Sequence, residues 1–453
     1  MDELDAYRRG SERLLELISG GPSSSTTMAS RRQRAVERLA QSRKLLAMFG
    51  DPQEAFPIVH VTGTSGKGST AAIMAAMLTA AGYRVGLRTS PYLQVATEKL
   101  QLGDRLIDAW SFDRLSAEVV EAYGRLRAAG NGDPRLGYAD AWIVMTLLWF
   151  AEQQVDIGIV EVGAGGRFDS TNVFDAAVSV ITTVGLDHLD ALGPELADVA
   201  WHKAGIIKPG ATVVVGDVPP SAWDVIEREA GSKGAVITRP TSDREFGAGA
   251  AMPGAFQQMN AALAVATVYA LGDRGFAVSE AAISEGISRG RLPGRLERMP
   301  GPKATRVWID GAHNADKVAA LARDVDSIAN GGPRPVIVLG MLGAKDASAI
   351  VAGLAPIASA IVATQPSVVG RTALATGDLA ALIAGGGYAG SVYAEPDPWA
   401  AVRRAEDLAE TLGAHVLATG SLYLAGQVRR RWYPDREIIV QRTPWPVLFG
   451  GKV

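Results

Sequence analysis

A strand, a glycine-rich turn and an alanine-rich helix follow one another between Phe56 and Gly82. The turn lies within HVTGTSGKGST, which spans residues 60–70. A strand that enters a helix through such a turn presents backbone N–H groups and the positive end of the helix to an anion. This feature predicts an α/β fold with a phosphate-binding loop, in which Lys67 reaches the β- and γ-phosphates and Ser69 places a hydroxyl on Mg²⁺.

The loop departs from the general Walker A pattern at two positions. That pattern would place its first glycine at Val61, and Gly68 is inserted between Lys67 and Ser69. A glycine-rich turn with one solvated lysine is the simpler alternative. Because a strand precedes the turn and a helix follows it, we interpret it as a nucleotide-binding loop. We expect the loop to be lined by Gly63, Thr64, Ser65, Gly66, Lys67, Gly68, Ser69 and Thr70.

The rest of the chain alternates between β-rich runs and helical sequence. The runs VDIGIVEVG, AVSVITTVG and ATVVVGD are almost continuously apolar, which is typical of parallel strands covered on both faces. A stretch rich in glycine, proline and charge near Arg298 has the composition of a linker. We therefore predict a P-loop-type, mostly parallel α/β domain over residues 1–297 and a smaller Rossmann-like α/β domain over residues 298–453.

The composition argues against several classes of protein. The 45 basic and 48 acidic side chains leave a formal net charge of −3, unlike a nucleic-acid coat or a polybasic membrane binder. The chain has no cysteine, which excludes disulfides, thiolate catalysis and cysteine-ligated zinc. No run of about 20 predominantly apolar residues indicates a membrane span, and the N-terminus lacks the apolar core of a signal peptide. We expect a cytoplasmic monomer that binds neither nucleic acid nor membrane.

Seven further blocks follow the loop and carry a family resemblance with it. They are TSPYL (residues 89–93), EVGAGGRFDSTN (161–172), GLDH (185–188), KAGIIKPG (203–210), PGRLE (293–297), DGAHN (310–314) and TGSLY (419–423). Together with GTSGKGS and its extra glycine, they resemble in sequence and order the motifs of the folylpolyglutamate synthase/dihydrofolate synthase family, a branch of the Mur ligase superfamily. The resemblance extends from about residue 30 to Arg430.

The resemblance implies an ATP-dependent ligase that joins a carboxylic acid to an amino acid. The acid takes the γ-phosphate of ATP to give an acyl phosphate, which the amine then displaces, and Mg²⁺ and cations spread the charge of the transfer. By resemblance, Ser69 and Glu161 hold one Mg²⁺, while His188 helps to hold a second. Taken alone, Glu161 also fits a surface residue at a strand end. His188 also fits a structural loop histidine, since oxygen ligands suit Mg²⁺ better than imidazole does.

The same resemblance implies roles for residues of both predicted domains. Lys203 matches a lysine that is commonly carbamylated in the family. Asn260 matches a residue near the nucleotide, although a helix cap is an equal interpretation. Arg295 and Asp310 are expected to contact ATP when the domains close, although DGAHN also fits a tight turn without a function. The residues expected to be catalytic are Lys67, Lys203, Asp310 and His313, and those expected to contact the acid or the amino acid are Tyr92, Asp169, Ser170, His313 and Ser421.

The part of the predicted site that would hold the acid departs from the family pattern. An aromatic residue of that pattern is Ala139 here, an alanine near the pterin is Ser170, and the histidine of SPHL is Tyr92. Loss of an aromatic face at position 139 would remove a stacking contact worth about 0.5–1.5 kcal/mol. Tyr138 and Trp142 are the candidates to replace it.

Several functions remain open at this point. The leading hypothesis is addition of L-glutamate to dihydropteroate or a reduced folate, with ATP and Mg²⁺. A second keeps this chemistry but uses a non-folate carboxylic acid and L-glutamate or another amino acid. A third is a non-catalytic nucleotide-binding protein, against which the intact set of polar residues argues. A P-loop kinase or GTPase would not explain the blocks of the second domain. The RRRW cluster at residues 429–432 is predicted to be a solvated helix end, and His60 to be structural.

Overall fold

The structure, a computed structural model, describes residues 2–18, 28–131, 137–187, 189–240, 250–301, 306–329, 331–343, 346–368 and 371–448. His188, predicted to hold a second metal ion, lies outside the described residues. Two sheets flanked by helices make up the fold, which confirms the predicted α/β class.

The first sheet has eight strands: β1 (Ile58–Thr62), β2 (Val85–Arg88), β3 (Leu100–Leu102), β4 (Arg105–Leu106), β5 (Ile157–Glu161), β6 (Val178–Ile181), β7 (Thr212–Val215) and β8 (Val236–Thr238). Their spatial order is β4-β3-β2-β5-β1-β6-β7-β8. The strands from β2 to β8 in this order pair in parallel, and β3 and β4 add an antiparallel edge. The phosphate-loop strand β1 is therefore central and fully buried.

The second sheet has six strands: β9 (Glu297–Arg298), β10 (Val307–Ile309), β11 (Val336–Leu339), β12 (Ala360–Ala363), β13 (Ser391–Ala394) and β14 (Val416–Thr419). Their order is β13-β12-β11-β14-β10-β9, and only β9 is antiparallel to its neighbour. Alternate residues of β11 enter two separate cores, Ile337 in one and Val338 in the other. Both faces of the sheet are covered, as the continuous apolar runs predict.

Helices cover the two sheets. One helix, α3 (Lys67–Ala80), begins directly after the glycine turn and is buried on nearly all sides. It packs between the first sheet and two other helices, α9 (Phe256–Gly272) and α10 (Glu280–Arg289). The helices are α1 (Glu3–Leu15), α2 (Met28–Ala47), α3 (Lys67–Ala80), α4 (Ala109–Leu126), α5 (Tyr138–Glu152), α6 (Leu189–Leu192), α7 (Leu196–Ala204), α8 (Pro220–Ser232), α9 (Phe256–Gly272), α10 (Glu280–Arg289), α11 (Ala315–Arg323), α12 (Val325–Ala329), α13 (Ala347–Leu354), α14 (Thr376–Gly385), α15 (Pro398–Leu412), α16 (Leu422–Arg429) and α17 (Asp435–Gln441).

The end of the chain returns to the first sheet. Ile438 and Ile439 of α17 pack with Ala6 of α1 and Leu106 of β4 in one small core. The backbone N–H of Leu106 also donates to the carbonyl of Arg442. The residues after about position 433 therefore belong structurally beside the first sheet, although they follow the second one in sequence.

The carboxyl ends of the strands in the two sheets face each other. β1, β5 and β6 are parallel neighbours and end at one edge of the first sheet, while β10 and β14 end together at an edge of the second. The Asn314 side chain, after β10, donates from Nδ2 to Asp187 Oδ2 at 3.0 Å, after β6. Loops at the carboxyl edge of parallel strands are where α/β proteins place their ligands. No helix in the described part of the chain is long and apolar enough to cross a membrane.

Candidate active site

The phosphate loop is held by backbone geometry that requires glycine. Gly63 (φ 153°) and Gly66 (φ 82°) have positive φ, and a Cβ on Gly63 would clash with Thr182 Oγ1. Thr183 Oγ1 accepts a hydrogen bond from the backbone N–H of Ser65 at 2.9 Å. Lys67 Nζ folds back over the loop and donates to the carbonyl of Gly63 at 2.8 Å. Burial lowers the pKa of Lys67, although nearby carboxylates oppose this shift.

Asn260 lies against the loop, as the family resemblance implies. Its Oδ1 atom accepts from Thr70 Oγ1 at 3.4 Å, and its Nδ2 donates to Gln257 Oε1 at 2.7 Å. A Cβ on Gly66 would clash with Asn260 Oδ1, so the amide sits directly on the loop. The N-cap of α9 is Ala255, which shows that the alternative interpretation of Asn260 as a helix cap is wrong.

Glu161 and Ser69 offer oxygen atoms beside the loop. Glu161 ends β5, and its Oε2 accepts from the backbone N–H of Ser90 at 2.8 Å. A Cβ on Gly68, the residue before Ser69, would lie 3.2 Å from the same oxygen. Burial raises the pKa of Glu161, and Lys67 opposes this shift. A buried carboxylate and a buried hydroxyl at the start of a phosphate-binding helix are the hard oxygen ligands that Mg²⁺ prefers, so these residues fit the ion.

Asp187 directly precedes His188, the predicted second metal ligand, in sequence. Besides Asn314, it faces Lys317, whose Nζ lies 3.8 Å from Asp187 Oδ2. Among the residues that the structure describes, no three His, Asp or Glu side chains are grouped to hold a metal ion. The role of His188 therefore stays a prediction.

Lys203 occupies the last turn of α7 and is almost completely buried. Burial lowers its pKa well below the usual lysine value. The ammonium groups of Lys67 and Lys317 add to this shift, and Asp187 opposes it. A lysine in these surroundings favours the neutral amine, the form that reacts as a nucleophile.

Asp310 fixes the turn that follows β10. Its Oδ2 accepts from the backbone N–H of Leu296 at 2.8 Å and its Oδ1 from that of Ala312 at 2.7 Å. Burial raises the pKa of Asp310, and the neighbouring Arg295 opposes this shift. The Asp310 carboxylate thus joins the linker that carries Arg295 to the DGAHN turn. This contact keeps Arg295 and Asp310, the two residues predicted to contact the nucleotide, close together.

His313 and Ser421 lie at neighbouring strand ends of the second sheet. The backbone N–H of Gly420 donates to the carbonyl of Ala312 at 3.1 Å, which joins the two loops. His313 Nδ1 donates to the carbonyl of Gly311 at 2.7 Å, leaving Nε2 as the acceptor nitrogen of the ring. Ser421 caps α16 by accepting from the backbone N–H of Leu424 at 3.1 Å.

The loop of the predicted acid-binding side is ordered by a chain of polar contacts. Asp169 Oδ2 accepts from the backbone N–H of Ala164 at 2.9 Å, and its Oδ1 accepts from Thr171 Oγ1 at 2.6 Å. His60 Nε2 lies 2.8 Å from the same Thr171 hydroxyl. Burial lowers the pKa of His60 well below its usual value, so the ring is neutral. Ser170 is buried between these groups, and His60 supports the loop, as its predicted structural role requires.

Residue 139 cannot supply the aromatic ring that the family pattern has at this position. Ala139 is exposed, and Trp142 is fully buried in the core, where it stacks on Phe112 at 5.6 Å between ring centroids. Trp142 is therefore wrong as the replacement for the family's aromatic residue. Tyr138 is half-buried; burial raises its pKa, and the nearby Tyr92 adds to this shift. Of the two candidates, Tyr138 is therefore the one that remains available to replace the family's aromatic residue.

Sequence reasoning missed three buried or half-buried cations. Lys99 is buried with its Nζ 4.6 Å from the centroid of the Trp142 ring, and no local motif marks it. Lys317 lies in the first turn of α11, four residues after His313, and its closeness in sequence to the DGAHN block could have identified it. The prediction of a solvated RRRW cluster is wrong for Arg429, which is fully buried, whereas Arg430 and Arg431 are exposed. Arg429 lies four residues after the buried Ala425 of α16, so helical periodicity carried this signal.

Comparison with known proteins agrees with this geometry. The Mur ligase middle domain family matches residues 61–219, and the Mur ligase, glutamate ligase domain family matches residues 294–422. The folylpolyglutamate synthase of Lacticaseibacillus casei is 32% identical over 413 residues, which cover 85% of this chain and 92% of that protein. The dihydrofolate synthase/folylpolyglutamate synthase of Mycobacterium tuberculosis is 32% identical over 364 residues, 72% of this chain and 74% of that protein.

Solved structures give the same result. The crystal structure of Mycobacterium tuberculosis folylpolyglutamate synthase complexed with ADP and AMPPCP superposes with a TM-score of 0.83 and 28% identity, over 96% of this chain and all of that one. The sequence match to the Lacticaseibacillus casei protein covers most of both chains. The chain therefore belongs to the folylpolyglutamate synthase/dihydrofolate synthase family of the Mur ligase superfamily.

Proposed function

We propose that this chain is an ATP-dependent ligase that joins L-glutamate to dihydropteroate or a reduced folate. The proposal rests on one observation: the carboxyl ends of the strands in the two sheets face each other. One edge brings Lys67, Ser69 and Glu161 together. The opposite edge carries Asp310, His313 and Ser421, and Asn314 bridges the gap to Asp187. A phosphoryl donor on one edge and an amine on the other meet at the acid between them.

The first step activates the acid. Its carboxylate oxygen attacks the γ-phosphorus of ATP, the new O–P bond forms, and the bond to the β-phosphate oxygen breaks to release ADP. Lys67 and the N–H groups of the phosphate loop bind the phosphate oxygens and stabilise their charge. Arg295, tied to the second sheet through Asp310, contacts the nucleotide from the other side when the domains close.

Ser69 and Glu161 are the residues that would hold Mg²⁺, with His188 beside a second ion. Held there, Mg²⁺ would neutralise charge on the phosphate oxygens. Burial raises the pKa of Glu161. A bound divalent cation would favour the ionised form of this carboxylate.

The second step forms the amide. The amino group of L-glutamate attacks the acyl carbon, the C–N bond forms, and the C–O bond to phosphate breaks as phosphate leaves. The amine must lose its proton, and His313 Nε2, the acceptor nitrogen of the ring, takes that proton once the incoming amine replaces Lys317 Nζ, which lies 3.1 Å away. Ser421 lies beside it at the end of the neighbouring strand and positions the amino acid.

Lys203 is the candidate for carbamylation that the family resemblance implies. Only a neutral amine reacts with carbon dioxide, and burial favours that form of Lys203. The carbamate would place a carboxylate near Lys67 and Lys317. Carbon-13 NMR after incubation with labelled bicarbonate would show a carbamate signal in the wild type that Lys203→Arg lacks. Its absence from both proteins would contradict the assignment.

We also propose a cytoplasmic location and a monomeric state. The reaction consumes ATP, which the cytoplasm supplies, and the chain contains no cysteine that an oxidising compartment would use. Light scattering during size-exclusion chromatography would test the monomer by its mass.

ADP release coupled to product mass tests the proposed reaction. Purified protein receives Mg-ATP and L-glutamate with dihydropteroate, with tetrahydrofolate, or with no acid. We expect a glutamyl adduct and ADP with at least one of the two acids, and neither without an acid. The Lys67→Ala variant is the control for contaminating ligases. ADP binding without an adduct to either acid would contradict the substrate class, and failure to bind any nucleotide would contradict the function of the loop.

A further inference from the structure

Lys317 lies where the two sheet edges meet. It is in the first turn of α11, where Asn314 Oδ1 caps the helix by accepting from the Lys317 backbone N–H at 3.0 Å. The same Asn314 side chain donates from Nδ2 to Asp187. Asp316, between them, packs on the first domain so closely that a Cβ on Gly185 would lie 2.5 Å from its Oδ2. Lys317 is therefore positioned by the contact between the domains.

The ammonium of Lys317 faces the acceptor nitrogen of His313. Nζ and Nε2 are 3.1 Å apart, with His313 just before the N-cap of α11 and Lys317 in its first turn. His313 Nδ1 is used by the Gly311 carbonyl, so Nε2 and the ammonium form one continuous polar surface. An amino acid that placed a carboxylate on Lys317 would bring its amine close to the nitrogen that takes the proton.

Two other lysines, Lys67 and Lys203, lie in the same region as Lys317. Burial is the largest cause of the lowered pKa of Lys203. The ammonium groups of Lys67 and Lys317 lie close enough to lower it further. Asp187 is the carboxylate that opposes this shift. Lys67 belongs to the phosphate loop, where its Nζ donates to the Gly63 carbonyl, and so it lies on the side expected to bind ATP. Lys317 stands on the other sheet, with the residues expected to bind the amino acid.

We propose that Lys317 binds a carboxylate of the incoming amino acid and so determines which amine the enzyme accepts. This inference rests on the proposed ligase function. Asp187 holds the ammonium at 3.8 Å in its place, and a substrate carboxylate at hydrogen-bond distance gives the closer contact. The charge of Lys317 then aligns the amine between His313 and the acyl carbon.

Steady-state kinetics of Lys317→Ala and Lys317→Arg test the proposal. We expect Lys317→Ala to raise the KM for L-glutamate roughly 10- to 100-fold, as loss of a charge-assisted hydrogen bond implies. The KM values for ATP and for the acid should stay within about 2-fold, and Lys317→Arg should recover most of the loss. Arg323→Ala is the matched control, because Arg323 is an exposed cation in the last turn of the same helix.

Two glutamate analogues identify the carboxylate. L-Glutamine lacks the side-chain carboxylate, and L-isoglutamine lacks the α-carboxylate, but both keep the α-amine. The wild type should discriminate against both, and Lys317→Ala should lose most of its discrimination against the analogue that lacks the carboxylate bound by Lys317. Undiminished discrimination against both analogues would overturn the proposal.

The assay separates failure of this inference from failure of the proposed function. A wild type with no turnover of L-glutamate would contradict the ligase function itself. An active wild type with an unchanged KM for L-glutamate in Lys317→Ala would overturn only the role of Lys317. A selective rise in the KM for ATP would do the same, because it would assign the ammonium to the phosphates. Circular dichroism should show equal folding of all variants, since Lys317 is partly exposed.

Discussion

Two of the joints between the domains differ in burial. The hinge joint consists of Gln94, Glu297, Arg429 and Trp445. Arg429 is fully buried and forms a bidentate ion pair with Glu297. Its Nε donates to Oε2 and its Nη2 to Oε1, both at 2.9 Å. Its Nη1 donates to Gln94 Oε1 at 2.7 Å, and Trp445 Nε1 donates to Glu297 Oε1 at 2.8 Å. Three distant parts of the chain are thereby locked together.

The active-site joint consists of Asp187, Asn314 and Lys317. Between the described side chains named here, the domains are connected by a hydrogen bond of 3.0 Å and a longer ionic contact of 3.8 Å. The side chains of Asp187 and Glu297 are equally exposed, at 12%, but Lys317 keeps 21% of its surface exposed whereas Arg429 is fully buried, so water reaches the Lys317 ammonium more easily. The ammonium is also partnered by His313 within its own domain.

The difference indicates separate tasks for the two joints. A buried ion pair whose partners are fully hydrogen-bonded is costly to break, whereas partly exposed polar contacts are exchanged at little cost. We therefore expect the hinge joint to persist while the active-site joint opens to admit substrates and closes around them. The predictions below test this division, from the largest expected effect to the smallest.

Arg429→Met should destabilise the protein by about 3–5 kcal/mol, because it removes a fully buried cation and leaves Glu297, whose side chain is only 12% exposed, without its partner. Urea unfolding monitored by circular dichroism measures this change. Arg430→Met is the matched control: its ion pair with Asp435 is half-exposed, and such pairs are worth about 0–1 kcal/mol. Equal losses in the two variants would contradict the hinge assignment.

Lys67→Ala should reduce kcat/KM at least ~100-fold, since one electrostatic stabiliser of a transition state contributes about 2.7–4 kcal/mol. The free energy of unfolding should change far less than in Arg429→Met, because a desolvated lysine is removed. Lys208→Ala is the control, as Lys208 is also largely buried but pairs with Asp175. Near-normal turnover of Lys67→Ala would refute the function of the phosphate loop.

Asn314→Ser should destabilise the protein by only about 0.5–1.5 kcal/mol. Serine still caps α11, so the substitution removes chiefly the hydrogen bond to Asp187. Urea unfolding in the same buffer allows direct comparison with Arg429→Met. A loss as large as that of the arginine variant would show that the active-site joint is not the weaker one.

Mg-ATP and the acid together should bring the domains closer at the active-site joint alone. The chain has no cysteine, so introduced pairs can be spin-labelled specifically. A pair at Leu189 and Ala319 spans the active-site joint, and a pair at Arg105 and Arg431 spans the hinge side. We expect the first distance to shorten and the second to stay constant. A constant first distance, together with unchanged small-angle scattering, would contradict domain closure.

The sequence predicts best where the signal is local. The phosphate loop, with its positive-φ glycines and the helix that starts at Lys67, is contiguous in sequence, and the structure has the strand, turn and helix that this segment predicts. The two α/β sheets follow from continuous apolar runs for the same reason. These features depend on near neighbours along the chain, which a single sequence displays.

Contacts between distant residues decide the features that the sequence did not reveal. Arg429 is 335 positions from Gln94, and only the fold brings a buried acceptor to that guanidinium. In the sequence RRRW alone, nothing distinguishes Arg429 from the two arginines that follow it. Likewise, Trp142 carries an aromatic ring suited to a pterin, but packing on Phe112 places it in the core. Burial of a side chain is a tertiary property, so composition could not supply it.

Transfer of oxygen-18 tests the central claim, ligation through an acyl phosphate, most directly. The acid is supplied with both carboxylate oxygens labelled, together with Mg-ATP and L-glutamate, and the released phosphate is analysed by mass spectrometry. The account predicts one labelled oxygen in inorganic phosphate for each amide formed, because that oxygen passes from the carboxylate to the γ-phosphorus. Amide product accompanied by unlabelled phosphate would contradict it.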